Sequence, residues 1–162
     1  MSSRLSGFAR HLFVSASGEP LPRWLEAFPT AALADQGNVV KSVPATTLVW
    51  LRLDDARPAP EQLSALRSVV GAARVIVLAN QPDNEQALTL FSAGIRGYCN
   101  AHATAANLLQ VASVVQAGGL WIGEALMQRL LASTQAAISR APAASLPWAG
   151  VNTAAADLLA TL

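Results

Sequence analysis

The chain has 162 residues, enough for one domain with a buried core and a short appendage. Hydrophobic residues make up 52% and charged residues 13%, about half the charged fraction of ordinary soluble domains, so we expect apolar surface that a partner covers. A net charge of +1 gives no electrostatic footprint for nucleic acid, and no apolar run is long enough to span a bilayer. With one cysteine and no apolar signal segment, we expect a soluble, cytoplasmic protein.

Short apolar runs alternate with helical patterns along the chain. The predicted strands are residues 11–16, 31–35, 48–53, 75–79 and 97–100. The predicted helices are residues 20–28, 59–72, 83–93 and 104–116, the last two with Asp83 and Thr104 as N-caps. Residues 36–47 include Gly37 and Pro44, so we expect the helix there to be short or missing.

Alternating strands and helices predict a parallel sheet covered on both faces. The fold class is therefore α/β, a flavodoxin-like (CheY-like) doubly wound sheet of five strands in the order 2-1-3-4-5. Beyond Gly119, residues 124–139 predict an extra C-terminal amphipathic helix. An Ala/Pro-rich linker and a last short helix complete the predicted elements.

Residues 93–131 read AGIRGYCNAHATAANLLQVASVVQAGGLWIGEALMQRLL and contain a fifth-strand motif followed by GG-x-W. Order and spacing resemble the receiver domain of LuxR-type (NarL/FixJ-like) response regulators, in which the strand motif reads RGYLLKDAS. The resemblance spans about residues 9–140 and rests on strand pattern in its first half. It implies a receiver-like domain at 1–122, a linker or dimerisation helix at 123–141, and a linker at 142–162 towards a helix-turn-helix domain absent from this chain.

In that family, two acidic residues hold Mg²⁺, an aspartate accepts the phosphoryl group, and a hydroxyl and a lysine contact it. Matching VSA, LVWLRL, VIVLAN and RGYCNAHAT to the family patterns replaces all five positions. Ser15 and Ala16 stand for the acidic pair, Arg52 for the phosphoacceptor, Ala79 for the hydroxyl and Ala101 for the lysine. Alanine offers no ligand or acceptor atom, and arginine is a permanent cation. The resemblance thus implies a degenerate receiver that is not phosphorylated on aspartate.

Two assignments stay open at this point. A register slip of two residues would make Asp54 the acceptor, whereas the other interpretation places Asp54 and Asp55 in a solvated loop. Arg52 either reaches into the vacated pocket as a fixed cation or extends to solvent and pairs with one of these aspartates. Tyr98 matches the family's aromatic switch position, and a packed or interface tyrosine is the alternative.

We expect a non-enzymatic regulatory domain of a LuxR-type transcriptional regulator in two-component signal transduction. It would signal by homodimerisation or by partner or ligand contact, and would reach DNA only through the absent domain. Candidate interface residues are Leu109 and Val111 on the helix after the fifth strand, and Leu126, Leu130 and Leu131 on the extra helix.

No metal site is expected, because His11 and His102 have no companion ligands at metal spacing. No cofactor is expected, since no nucleotide-binding pattern is present, and no membrane contact, since the apolar runs are short. The alternative function is a small flavodoxin-like ligand-binding protein or enzyme. Its phosphate loop would be residues 15–20, SASGEP, after the first strand. A third possibility is a structural dimerisation module that senses nothing.

Overall fold

The computed structural model describes residues 10–39 and 43–140, with side chains as far as residue 133. The strands are β1 (His11–Ser15), β2 (Ala32–Asp35), β3 (Leu48–Arg52), β4 (Arg74–Ala79) and β5 (Gly97–Asn100). The helices are α1 (Pro22–Ala27), α2 (Ala59–Val70), α3 (Asn84–Ser92), α4 (Ala105–Gln116) and α5 (Glu124–Arg140). All strand pairs are parallel, in the order β2-β1-β3-β4-β5. The predicted doubly wound sheet is confirmed.

The element boundaries follow local chemistry. Asp83 accepts a hydrogen bond from the amide of Gln86 at the start of α3, and Thr104 accepts one from the amide of Asn107 at the start of α4. Both predicted N-caps are therefore confirmed. The first helix is shorter than the predicted residues 20–28, since it begins at Pro22 and ends at Ala27. The last predicted helix and most of the Ala/Pro-rich linker lie outside the described residues.

The connection between β2 and β3 holds no helix in its described parts, residues 36–39 and 43–47. This agrees with the expectation of a short or missing helix there. A cavity of about 200 Å³ lies beside this connection, and its walls include Leu51 of β3 and Leu66 of α2.

The sheet separates two apolar cores. Val49 and Leu51 of β3 face the core beneath α2, α3 and α5, whereas Leu48 and Trp50 face the core beneath α1 and α4. None of these four side chains is more than 1% exposed. Burial on both faces explains why β3 is a continuous apolar run rather than an alternating one.

An aromatic cluster joins β1, β3 and α1 within the second core. Phe13 stacks against Trp24 and Trp50, with ring centroids 4.7 and 5.1 Å apart. His11 stacks on Phe28 with centroids 3.8 Å apart, and its Nδ1 accepts a hydrogen bond from the indole of Trp50 at 3.1 Å. Accepting this bond requires a neutral imidazole. Burial lowers the pKa of His11 to about 4.

The GG-x-W segment adds one residue to the sheet. Trp121 forms a single parallel bridge with Gly97, in which the Tyr98 amide donates to the Trp121 carbonyl at 3.2 Å and the Trp121 amide donates to the Arg96 carbonyl at 2.9 Å. A Cβ on Gly97 would lie 3.3 Å from Ile76 and 3.4 Å from Trp121. Close packing on both sides therefore explains the glycine in the RGY motif.

The helix α5 leaves the domain along α3, confirming the predicted extra helix. Its first turn buries Leu126 and Met127 against the first core, and Arg129 forms an ion pair with Glu85 of α3. No helix among the described residues is long and apolar enough to cross a membrane.

We expect protonation of His11 to destabilise the folded protein in acid. Because the folded pKa is about 4 and the ordinary value 6.5, the penalty is absent above pH 6.5, grows as the pH falls, and is complete below about pH 4. Urea unfolding at about pH 7 and pH 5 should show a smaller loss of unfolding free energy for His11→Gln than for the native chain. His102→Gln, a change at an exposed histidine, should lose as much as the native chain. An equal loss in all three proteins would contradict this assignment.

Candidate functional site

The carboxyl ends of four strands bring the five predicted pocket residues to one edge of the sheet. Ser15 ends β1 and is followed by Ala16, Arg52 ends β3, Ala79 ends β4, and Ala101 follows β5. In open α/β sheets, this edge is where ligands bind. The polar groups along this edge are therefore the candidates for binding a ligand or taking part in a reaction.

Two of the five positions are packing residues. Ala79 is 2% exposed and belongs to the first core, while Ala101 is 0% exposed and belongs to the second. The Ala101 amide donates to the Ala79 carbonyl at 2.9 Å, and the Ala101 carbonyl accepts from the indole of Trp24 at 3.1 Å. The turn after β5 is thus held to β4 and α1 through backbone atoms.

The loop from β1 to α1 is bonded to itself. Ser15 Oγ accepts from the Gly18 amide at 2.9 Å and donates to the Glu19 carbonyl at 3.3 Å. Ser17 Oγ accepts from the Glu19 amide at 3.2 Å. Gly18 has a φ of 78°, and a Cβ there would lie 3.2 Å from the Asp35 amide nitrogen. Two amides that a phosphate-binding loop would direct outward are therefore used within the loop.

Arg52 is tied to the neighbouring strand end. Its Nε donates to Asn80 Oδ1 at 2.9 Å, and Asn80 Nδ2 donates to Asp55 Oδ2 at 2.8 Å. Arg52 is partly buried, and Asn80 links its guanidinium to Asp55. Asn80 was not singled out from the sequence, although a polar residue directly after an apolar strand marks this edge.

The loop that carries Asp54 is held by hydrogen bonds to Gln62, a side chain of α2 that is 1% exposed. Gln62 Oε1 accepts from the Asp54 amide at 2.8 Å, and Gln62 Nε2 donates to the carbonyls of Asp54 and Arg57 at 2.9 and 3.0 Å. Asp54 Oδ1 accepts from the Ala56 amide at 3.0 Å. A fully bonded buried amide of this kind gives the loop one defined shape.

Tyr98 connects β5 to the start of α3. Its side chain is 5% exposed, and its hydroxyl accepts from the Asp83 amide at 2.9 Å and donates to Gln86 Oε1 at 2.7 Å. Burial is the main cause that raises the pKa of Tyr98. The predicted switch residue is thus packed inward, with both hydrogen-bonding capacities of its hydroxyl in use.

The interface candidates separate into buried and exposed residues. Val111 is 0% exposed and belongs to the second core, and Leu126 is 3% exposed and belongs to the first. Leu130 is partly buried and packs against the first core. Leu109 and Leu131 are 48% and 36% exposed. The exposed members of the candidate set are therefore Leu109 and Leu131, whereas Val111 and Leu126 are covered within one chain.

The histidines are used within the fold. The ring of His11 accepts from Trp50, and the exposed His102 contributes its carbonyl to Arg23 Nη1 at 2.7 Å. Within residues 10–39 and 43–133, no three His, Cys, Asp or Glu side chains are grouped so that they could hold a metal ion.

Solved structures similar to this fold include two response regulators, whereas no protein-family model and no curated protein matches the chain. A two-component response regulator of the LuxR family from Aurantimonas sp. SI85-9A1 has 22% identity and a TM-score of 0.54, over 78% of this chain and 97% of that chain. A LuxR family DNA-binding response regulator from Silicibacter pomeroyi has 16% identity and a TM-score of 0.50, over 72% of this chain and 98% of that chain. At these identities, what the chain shares with both response regulators is the fold.

The buried hydroxyl of Tyr98 should ionise at a higher pH than an exposed tyrosine does. Tyr98 is the one tyrosine of the chain, so the tyrosinate absorbance reports it directly. Because burial disfavours the anion, we expect a titration midpoint above the ordinary 10.0 in the folded protein, returning to about 10 in urea. Circular dichroism of the same samples verifies that the protein is folded. A midpoint at or below 10.0 in folded protein would mean that the hydroxyl faces solvent.

Proposed function

We propose that the chain is a receiver-like regulatory domain of the LuxR response-regulator class that works without aspartyl phosphorylation. The observation that carries this is the end of β3, where Arg52 is hydrogen-bonded to Asn80 at the position that the resemblance assigns to the phosphoacceptor. A guanidinium is neither a nucleophile nor a ligand for Mg²⁺. The sheet order and the two LuxR-family neighbours support the class.

The other strand ends support the same proposal. Phosphoryl transfer needs a nucleophile, oxygen ligands for Mg²⁺, and fixed positive charge on the transferring group. Ala79 and Ala101 bring none of these, and the Ser15 hydroxyl is used within its own loop. Asp54 and Asp55 are the carboxylates that follow β3, and each already accepts a hydrogen bond from a neighbouring residue.

Signalling would then pass through surfaces rather than through the strand ends. Leu109 on α4 and Leu131 on α5 are the exposed members of the interface set, available for contact with a second copy or a partner. Such contacts stabilise a dimer by removing apolar area from water. DNA would be reached through another domain, because a net charge of +1 provides no basic face. In this proposal the domain acts in the cytoplasm and is not an enzyme.

Phosphodonors should leave the protein unchanged. We expect acetyl phosphate with Mg²⁺ to add no mass to the intact protein, and beryllofluoride with Mg²⁺ to leave its oligomeric state unaltered, because the acceptor and metal ligands are replaced. Mass spectrometry and sedimentation velocity are the measurements.

Asp54→Asn and Asp55→Asn are the matched variants. Stoichiometric phosphorylation that disappears in Asp54→Asn and persists in Asp55→Asn would place the acceptor at Asp54 and overturn the proposal.

A charge at residue 131 should weaken self-association. We expect Leu131→Glu to raise the dimer dissociation constant at least about tenfold, because a carboxylate placed in an apolar contact loses hydration. Leu33→Glu is the control, since Leu33 is comparably exposed at 39% but lies on β2. Sedimentation equilibrium provides both constants. Equal effects of the two changes, or a monomer at every concentration, would count against α5 as the contact surface.

A further inference from the structure

An apolar groove lies between α3, the edge of β5 and α5. It encloses about 390 Å³ and is lined by Leu88 and Phe91 of α3, Leu120 and Ile122 after the GG-x-W glycines, and Leu126 of α5. Cavities of roughly 300–1,000 Å³ with mostly apolar walls are the usual form of small-molecule sites. The strand ends considered above lie outside these walls.

Arg96 adds a positive charge to this groove. It lines the cavity and is exposed, and its guanidinium has no hydrogen-bond or ion-pair partner among the residues that the structure describes. Neighbouring arginines are different. Arg67 donates to the Gly94 carbonyl at 2.7 Å, Arg74 donates to the Val115 carbonyl at 3.0 Å, and Arg129 pairs with Glu85. Arg96 is therefore the arginine of this region that is available to pair with a ligand.

We propose that this groove binds an amphipathic anion, a medium-chain carboxylate whose alkyl tail lies along the apolar walls and whose head pairs with Arg96. Among the described residues, no acidic side chain lines the cavity to oppose the charge of Arg96. An apolar cleft with a single cation favours a carboxylate over an alcohol of the same length, and rejects an alkylammonium.

Binding there would join two elements that are otherwise loosely connected. The helix α5 meets α3 through the Glu85–Arg129 ion pair and through Leu126 at the groove. A ligand between them adds apolar contact to both walls and holds α5 closer to the domain. Occupancy of the groove does not depend on the proposed function, because it can be measured whether or not the chain regulates anything.

Calorimetric titration of the full chain with octanoate, 1-octanol and octylammonium tests the proposal. We expect saturable binding of one octanoate per chain, with 1-octanol about fivefold weaker, as suits an exposed ion pair. Octylammonium should bind at least about tenfold more weakly than octanoate. No saturation with octanoate, or equal affinity for octanoate and octanol, would overturn the proposal.

Three variants locate the site. Arg96→Gln should weaken octanoate about fivefold and leave octanol unchanged, whereas Arg10→Gln, at another exposed arginine, should change neither. Leu120→Trp should fill the groove and weaken both ligands at least about tenfold, with circular dichroism verifying the fold. Leu88→Trp replaces it if that variant fails to fold.

Unchanged octanoate affinity in the filled groove would place the ligand elsewhere and overturn the assignment. A change in the dimer dissociation constant on filling the groove, together with no octanoate binding, would assign the groove to a second copy of the chain.

Discussion

A parallel sheet covered on both faces is the constraint on which the structure depends. The strands pair through their backbones, so their side chains alternate between two cores and must be apolar in both directions. The helices α1 and α4 cover one face, and α2, α3 and α5 cover the other. Polar side chains can therefore lie in two places, in the loops at the strand ends and on the outer surfaces of the helices.

At the strand ends, this chain uses its polar side chains to hold its own loops. Ser15 closes the loop after β1, Gln62 holds the loop after β3, and Asn80 joins Arg52 to Asp55. Gln62 is 1% exposed, so its bonds satisfy amide atoms that burial would otherwise leave unpaired. The same bonds use up donors and acceptors that a ligand would need. The α3–α5 side differs from the strand ends, because its groove is mostly apolar and its arginine, Arg96, is exposed.

Much of the fold could be predicted because its determinants are local. Apolar runs gave the strands, Asp83 and Thr104 gave the helix starts, and alternation of elements gave the sheet order. The roles of Gln62 and Asn80 were missed because each has a distant partner: Gln36, 26 positions away, donates to Gln62 Oε1, and Asp55, 25 positions away, accepts from Asn80. No local pattern reports such contacts. Helical periodicity marked Val111 and Leu126 as apolar, but it does not say whether an apolar face meets the sheet or a partner.

The bridge between Gly97 and Trp121 makes the two sides of the sheet unequal. Trp121 bonds two backbone groups at the start of β5, whereas β2 has one strand neighbour among the residues that the structure describes. If two copies ever joined by strand addition, they would meet through β2, and the joined sheet would then end in a β5 on each side. The short β2, with Asp35 at its end, hinders such a joining.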